Sequence, residues 1–87
     1  MKSVKIKVFG KVQGVFYRNS CKNKAVNLGI DGFVKNKEDG TVYIEASGDK
    51  LEEFIDWCEI GPSSARVDHI EIEPLQVIHE NKFEIRR

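Results

Sequence analysis

The sequence lacks the features that mark membrane, metal-binding and nucleic-acid-binding proteins. It has no apolar run near the roughly 20 residues that a membrane-spanning helix requires, and its N-terminus alternates instead of forming a secretory apolar block. No cluster of Asp, His or Cys has the spacing of metal ligands. The 14 acidic residues balance the 14 basic ones, whereas nucleic-acid binders carry a basic excess. We therefore expect a cytoplasmic protein with no membrane or nucleic-acid partner, no metal and no cofactor.

Cysteine is scarce as well, and its placement excludes the usual cysteine-based sites. Cys21 and Cys58 are too far apart in sequence for a zinc knuckle or a C-x-x-C redox pair, which also disfavours a metal-carrier domain. We predict two buried free thiols, and a disulfide between them is the alternative.

What the sequence does contain is a regular succession of short elements without a linker or repeat. Its 87 residues suffice for one domain, which we place at residues 1–87. Period-2 alternation predicts strands near residues 4–9, 30–36, 41–47 and 67–73, with a short last strand at Phe83 and Ile85. Helical spacing predicts two helices, whose apolar stripes are Tyr17, Cys21, Ala25 and Leu28, and Leu51, Phe54, Ile55 and Cys58.

The boundaries of these elements carry their own signals. Asp39-Gly40 predicts a hairpin between the second and third strands, and Gly29 predicts the end of the first helix. Asp49 and Glu52 have the spacing of a capping box at the start of the second helix. In the fourth strand, we expect Ile70 and Ile72 to face inward.

The order β-α-β-β-α-β, followed by the extra C-terminal strand, predicts a ferredoxin-like α/β (α+β) sandwich. Its mostly antiparallel sheet is expected to be covered on one face by two helices. Because that fold serves many functions, the activity must be inferred from particular residues.

The segment between the first strand and the first helix indicates an anion site. Gly10 and Gly14 permit tight turns, and the unpaired amides at a helix N-terminus attract anions. Arg18 adds a permanent charge and a planar fork that matches a phosphate edge. The first 18 residues hold basic side chains and no acid, which suits an anionic ligand or a solvated strand face. The alternative is an ordinary loop with Arg18 in solvent.

Asn36 is the second candidate. If Val34 faces the helices, period-2 alternation places Asn36 on the same side at the end of its strand. Its carboxamide donates and accepts hydrogen bonds, so it is suited to hold a water molecule for attack. The alternative is a turn-flanking Asn that satisfies the local backbone.

Together these segments resemble the two signature motifs of the acylphosphatase family. The loop G-K-V-Q-G-V-F-Y-R and the hairpin G-F-V-K-N-K-E-D-G-T-V both match without a gap, and later landmarks extend the resemblance over essentially the whole chain. Phe16 stands at a variable loop position that is often occupied by a smaller residue, and Phe33 replaces a common Trp.

The resemblance implies an enzyme that hydrolyses acyl phosphates to a carboxylate and inorganic phosphate, without a metal or a phosphoenzyme. The loop amides would bind the phosphate, Arg18 would bind it and stabilise the transition state, and Asn36 would position the attacking water. The implied phosphate-binding residues are Gln13, Gly14, Val15, Phe16, Tyr17 and Arg18. We expect a monomer that inorganic phosphate inhibits.

Two other functions remain as alternatives. RNA-recognition domains share this element order, but they require stacking aromatics on the third strand, where this chain has only Tyr43 beside the acidic Glu45. A regulatory domain that binds an anion without turnover would retain the same cradle, and the pairing of Arg18 with Asn36 favours the enzyme.

Overall fold

The computed structural model describes residues 2–87, which form a five-stranded sheet and two helices. The strands are β1 (Lys2–Lys11), β2 (Asp31–Asn36), β3 (Val42–Gly48), β4 (Arg66–Pro74) and β5 (Phe83–Arg86), and the helices are α1 (Tyr17–Leu28) and α2 (Leu51–Ile60). The sheet order is β4-β1-β3-β2-β5, in which only the β2–β5 pair is parallel. The ferredoxin-like α+β fold predicted from the element order is therefore confirmed.

A single apolar core lies between the helices and one face of the sheet. The sheet contributes alternate residues because successive side chains of a strand point to opposite faces. The core residues that are most completely buried are Ile6, Val8, Val34, Val42, Ile44 and Ala46 from the strands, and Tyr17, Cys21, Ala25, Phe54 and Cys58 from the helices. Each large apolar side chain buried in this way contributes about 1.5–3 kcal/mol to stability.

The topology brings three strand ends to one end of the sheet. β1 and β2 both pair antiparallel with β3, and β5 runs parallel to β2, so the C-terminal ends of β1, β2 and β5 lie at the same end of the sheet. Val8 and Asn36 both pair with Val42, which places Asn36 on the face covered by the helices, as its parity predicts. Since α1 begins shortly after β1 ends, this end of the sheet also receives the N-terminus of α1.

The end of α1 follows the prediction made for Gly29. Gly29 has a left-handed φ of 67°, and its amide donates to the carbonyl of Val26. The next amide, that of Ile30, donates to the carbonyl of Ala25 at 2.8 Å. These bonds satisfy carbonyl groups that the helix leaves without partners, and glycine adopts the required φ without a Cβ clash.

One local prediction is wrong, and another is confirmed only in part. The capping box does not form, because Lys50 is the N-cap of α2 and no side chain caps the helix. The helix begins instead at Leu51, the first residue of its apolar stripe to reach the core. Ile72 lies on the predicted inner face, opposite the buried Ile6, but it is 43% exposed because β4 is an edge strand that the helices cover only in part, whereas Ile70 packs against the core.

Within residues 2–87, neither helix is long and apolar enough to cross a membrane.

Candidate active site

The loop between β1 and α1 is shaped by residues with unusual backbone angles. A β-bulge interrupts the pairing of β1 with β4 at Gly10, where a Cβ atom would collide with the carbonyl oxygen of Arg66. Gly14 has φ 74°, with open space where its Cβ would be. Phe16, the N-cap of α1, is also left-handed, with φ 63° and ψ 18°. The loop therefore turns sharply before the helix begins.

This loop faces a pocket of about 310 Å³ at the end of the sheet. The pocket is lined by Val12, Gly14, Phe16, Tyr17, Arg18, Asn19, Asn36 and Ile85. It thus joins the start of α1 to the C-terminal ends of β2 and β5. Five residues singled out in the sequence meet here, namely Gly14, Phe16, Tyr17, Arg18 and Asn36. Gln13 and Val15 do not line the pocket with the others.

The start of α1 leaves backbone amides available beside this pocket. The first intrahelical bond runs from the amide of Ser20 to the carbonyl of Phe16, at 3.1 Å. The amides of Tyr17, Arg18 and Asn19 precede that bond, and no side chain caps the helix. The first turn contains no acidic residue. The positive end of the helix dipole therefore faces the pocket without a local carboxylate to offset it.

Arg18 is the only charged residue among those that line the pocket. Its Nη1 donates to the carbonyl oxygen of Arg86 at 3.3 Å, so the last strand helps to orient the guanidinium. Within residues 2–87, Arg18 takes part in none of the salt bridges. A guanidinium with five N–H donors and one carbonyl partner retains donors for an anionic ligand.

Asn36 lines the same pocket and has a buried acceptor atom. Among the described residues, its Oδ1 is the one buried side-chain nitrogen or oxygen without a hydrogen-bond partner. Burial of an unpaired acceptor costs about 1–3 kcal/mol, so such groups are uncommon in folded proteins. Because Asn36 also lines the pocket, its carboxamide lies beside the space that a ligand would occupy.

Gln13 connects the loop to the turn that follows Asn36. Its Nε2 donates to the carbonyl oxygens of Lys37 at 2.7 Å and Thr41 at 2.8 Å. The same turn is closed by the amide of Lys37, which donates to the carbonyl of Thr41 at 2.9 Å. The side chain of Gln13 therefore braces two segments that are more than 20 residues apart in sequence.

The turn has a further anchor in Asp39. Its carboxylate accepts hydrogen bonds from the amide and hydroxyl of Thr41 and forms a salt bridge with Lys7, with 3.0 Å between Nζ and Oδ2. The bonds from Thr41, followed by that from Lys7, hold the pKa of Asp39 well below its usual range. Asp39 is therefore a charged structural group of the turn.

Comparison with known proteins gives the same family throughout. The Acylphosphatase family model matches residues 4–85. This chain belongs to the acylphosphatase family. An acylphosphatase from Synechococcus sp. (strain CC9311) is 44% identical over 79 residues, which are 88% of each chain. The resemblance predicted from the two motifs is thereby confirmed.

Solved structures of the family have the same fold. The crystal structure of acylphosphatase from Bacillus subtilis matches with a TM-score of 0.93 and 31% identity, over 100% of both chains. A structure of full-length HypF matches with a TM-score of 0.84 and 28% identity, over 99% of this chain and 12% of that one. A domain with this fold therefore also occurs within a larger protein.

The buried groups behind the pocket of this family member are structural. The hydroxyl of Tyr17 donates to the carbonyl oxygen of Cys58 at 2.8 Å, and burial raises the pKa of Tyr17 far above its usual value. Cys21 and Cys58 are both buried and free, as the sequence predicts, and burial also raises the pKa of the Cys21 thiol. A buried thiol with a raised pKa is a poor nucleophile, so Cys21 does not suit covalent catalysis.

The sequence did not single out three residues that line the pocket, Val12, Asn19 and Ile85. Asn19 follows Arg18 directly, and its place in the first turn of α1 was the available signal. Ile85 was predicted as a strand residue, but no local pattern indicates that the last strand closes the site. Its position depends on the parallel pairing of β5 with β2.

Proposed function

We propose that this chain hydrolyses acyl phosphates by direct attack of a water molecule that Asn36 positions on a phosphate bound by the loop amides and Arg18. As a member of the acylphosphatase family, it is a hydrolase of acyl phosphates. The observation that supports the mechanism is that Asn36, whose Oδ1 is buried and unpaired, lines the same pocket as Arg18 and the first residues of α1.

Phosphate binding would use the open amides and the arginine together. The N-terminus of α1 offers N–H donors and the positive end of the helix dipole, which suit an anion. Arg18, oriented by the carbonyl of Arg86, would bind two phosphate oxygens with its planar fork. The backbone amides of residues 13–16 would complete the cradle, as the family resemblance implies.

The hydrolysis itself requires one bond to form and one to break. The water oxygen forms a bond to phosphorus, and the bond between phosphorus and the acyl oxygen breaks, so that the carboxylate leaves with its electron pair. Oδ1 of Asn36 would accept one water hydrogen and direct the lone pair toward phosphorus. Charge on the transferring group would be stabilised by Arg18 and the amides, which is the main task in phosphoryl transfer.

The proton released by the water needs an acceptor, and the substrate can provide it. The residues that line the pocket include no His, Asp or Glu. We therefore infer that a phosphate oxygen of the substrate takes the proton and that the product leaves as inorganic phosphate. Because a carboxylate is a good leaving group, the reaction needs no strong general acid.

Metal-independent turnover is part of the proposal. Within residues 2–87, no three side chains of the His, Cys, Asp and Glu types are grouped to hold a metal ion. The electrostatic role of a metal would fall to Arg18 and the helix N-terminus.

The test is hydrolysis of acetyl phosphate and benzoyl phosphate by the purified chain in excess chelator. We expect full turnover, competitive inhibition by inorganic phosphate, and far slower cleavage of an alkyl phosphate monoester, whose leaving group does require an acid. Activity lost in chelator and restored by a divalent cation would contradict the mechanism. Phosphate binding without turnover of either acyl phosphate would favour the regulatory anion-binding alternative.

A further inference from the structure

Phe16 is an apolar residue in a conformation and a location that folding alone does not favour. It is left-handed, with φ 63°, a conformation that strains a bulky side chain and that glycine adopts freely. Its side chain is also 72% exposed, so it adds little to the core. Backbone outliers of this kind are concentrated at functional sites, which directs attention to what the ring contacts there.

The ring is the main apolar surface that a ligand in the pocket would meet. Six large hydrophobic residues of the described chain are exposed, and Phe16 is the only one of them that lines the pocket. Val12 and Tyr17 line it as well, but both are buried in the core. Ile85 is half-buried in the wall beside them.

The pocket can pair a positive charge with only one anionic group of a substrate. Arg18 is the sole charged lining residue, and the proposed mechanism assigns it to the phosphate. The part of the substrate beyond the phosphate would therefore meet an aromatic ring and uncharged groups. An uncharged acyl group with a flat apolar face suits that surface, because aromatic pairs gain energy beyond the area they bury.

We propose that Phe16 makes the site selective for acyl phosphates with an aromatic acyl group over those with a small one. This inference rests on the proposed function, since it assumes that the phosphate occupies the cradle beside Arg18. The backbone of Phe16 shapes the start of α1, whereas its ring contacts the acyl group at the mouth of the pocket. Phe16 is then a specificity-determining residue.

The test compares benzoyl phosphate with acetyl phosphate in the wild-type chain and in Phe16→Gly. Glycine keeps the left-handed backbone accessible and removes only the ring. The measured quantity is the ratio of kcat/KM for benzoyl phosphate to kcat/KM for acetyl phosphate, in which general damage to the loop cancels. We expect this ratio to fall about fivefold, the size expected for loss of one aromatic contact.

Two further variants make the result decisive. Phe16→Leu keeps an apolar side chain and should reduce the ratio by a smaller factor; it also decides the matter if Phe16→Gly has no measurable turnover. Val26→Ala removes another exposed apolar side chain, far along α1, and should leave the ratio unchanged.

The outcomes separate this inference from the proposed function. An unchanged ratio in Phe16→Gly, or a complete loss of turnover in both Phe16 variants, would overturn the inference and leave the hydrolytic mechanism standing. A wild-type chain that hydrolyses neither substrate would refute the proposed function itself, and the selectivity would fall with it.

Discussion

The two helices of this chain begin in similar ways but are surrounded by different charges. Neither has a side-chain cap: Phe16 precedes α1, and Lys50 precedes α2. The first turn of α2 contains Glu52 and Glu53, whereas the first turn of α1 contains no acid. Carboxylates near a helix N-terminus offset its positive dipole. The sequence of α2 thus provides its own negative charge, and that of α1 leaves the charge to be supplied by a ligand.

The residues around the start of α1 add to this difference in charge. The start of α1 opens on a pocket that is lined by Arg18 and by Asn36, whose Oδ1 is unpaired. The fold therefore places a cation and a helix N-terminus together, where the proposed mechanism needs a phosphate to bind. The comparison indicates that the residues that the fold brings to a helix N-terminus, as well as the helix itself, decide whether it suits an anion.

The largest effect is expected from removal of the charge beside α1. Arg18→Ala should lower kcat/KM for an acyl phosphate by about a thousandfold, because the guanidinium acts on both the bound phosphate and the transition state. The fold should persist, since Arg18 is partly exposed and bonds only to the carbonyl of Arg86. Steady-state kinetics and circular dichroism would measure both effects.

Lys22→Ala is the matched control for Arg18, because it removes an exposed cation one turn further along α1 and should leave kcat/KM within about twofold. Near-normal kinetics in a folded Arg18→Ala chain would show that the phosphate binds elsewhere.

Asn36→Ala should reduce kcat by about a hundredfold and leave phosphate affinity almost unchanged. The reason is that the loop amides and Arg18 remain, whereas the acceptor that orients the water is lost. Asn36→Asp should also be poor, because a carboxylate loses the amide donor and repels the anionic phosphate. The rise in Tm on addition of phosphate reports affinity through linkage.

A different result would be that phosphate fails to raise the Tm of Asn36→Ala while the single-turnover rate at saturating substrate stays normal. That result would show that Asn36 binds phosphate and does not position the water. Asn36 would then be a third phosphate-binding group beside the start of α1, together with the loop amides and Arg18.

Gln13→Ala tests whether the start of α1 must be held against the turn after Asn36. Loss of two hydrogen bonds to carbonyl oxygens should lower the free energy of unfolding by about 1–3 kcal/mol and reduce kcat by about tenfold. KM should change less than kcat, because Gln13 would position Asn36 and does not line the pocket. Denaturant unfolding and steady-state kinetics measure the two effects.

Gln13→Glu is the conservative control for this brace. It keeps the shape of the side chain but replaces the donor with an acceptor opposite two carbonyl oxygens. We therefore expect its activity to be as low as that of Gln13→Ala. Full activity in Gln13→Glu would mean that the hydrogen bonds are unimportant for catalysis.

The smallest effects come from exchanging the charges of the two helix starts. Asn19→Asp adds an acid to the first turn of α1 and should raise the free energy of unfolding by about 0.5 kcal/mol. It should also raise the inhibition constant for phosphate several-fold, because the new charge repels the ligand. Asn19→Ala separates the added charge from the loss of the amide.

Glu53→Gln makes the reverse change in α2. It should lower the free energy of unfolding by about 0.5 kcal/mol without altering kinetics. Tighter phosphate binding in Asn19→Asp would contradict the role assigned to the helix dipole.

Much of the fold could be read from local patterns. Alternating residues such as Val42 and Ile44 become the inner face of β3, and Gly29 ends α1, because strand periodicity and left-handed glycine are short-range properties. The capping box does not form, and since a cap contributes only about 1 kcal/mol, its spacing alone does not fix where a helix begins. Ile72 is exposed on the inner face of the sheet, since strand parity predicts the face of a side chain but not whether a helix covers it.

The sequence by itself determined the element order, the inward parity of Asn36, the two free buried thiols and, through two motifs, the family. Each depends on spacing within a few residues or on a recognisable string. Only the tertiary structure decided that Gln13 braces the turn after Asn36, that the carbonyl of Arg86 orients Arg18, and that Ile85 closes the pocket. Those contacts join residues 24 to 68 positions apart in sequence, so they are fixed by strand order and register, which no local pattern specifies.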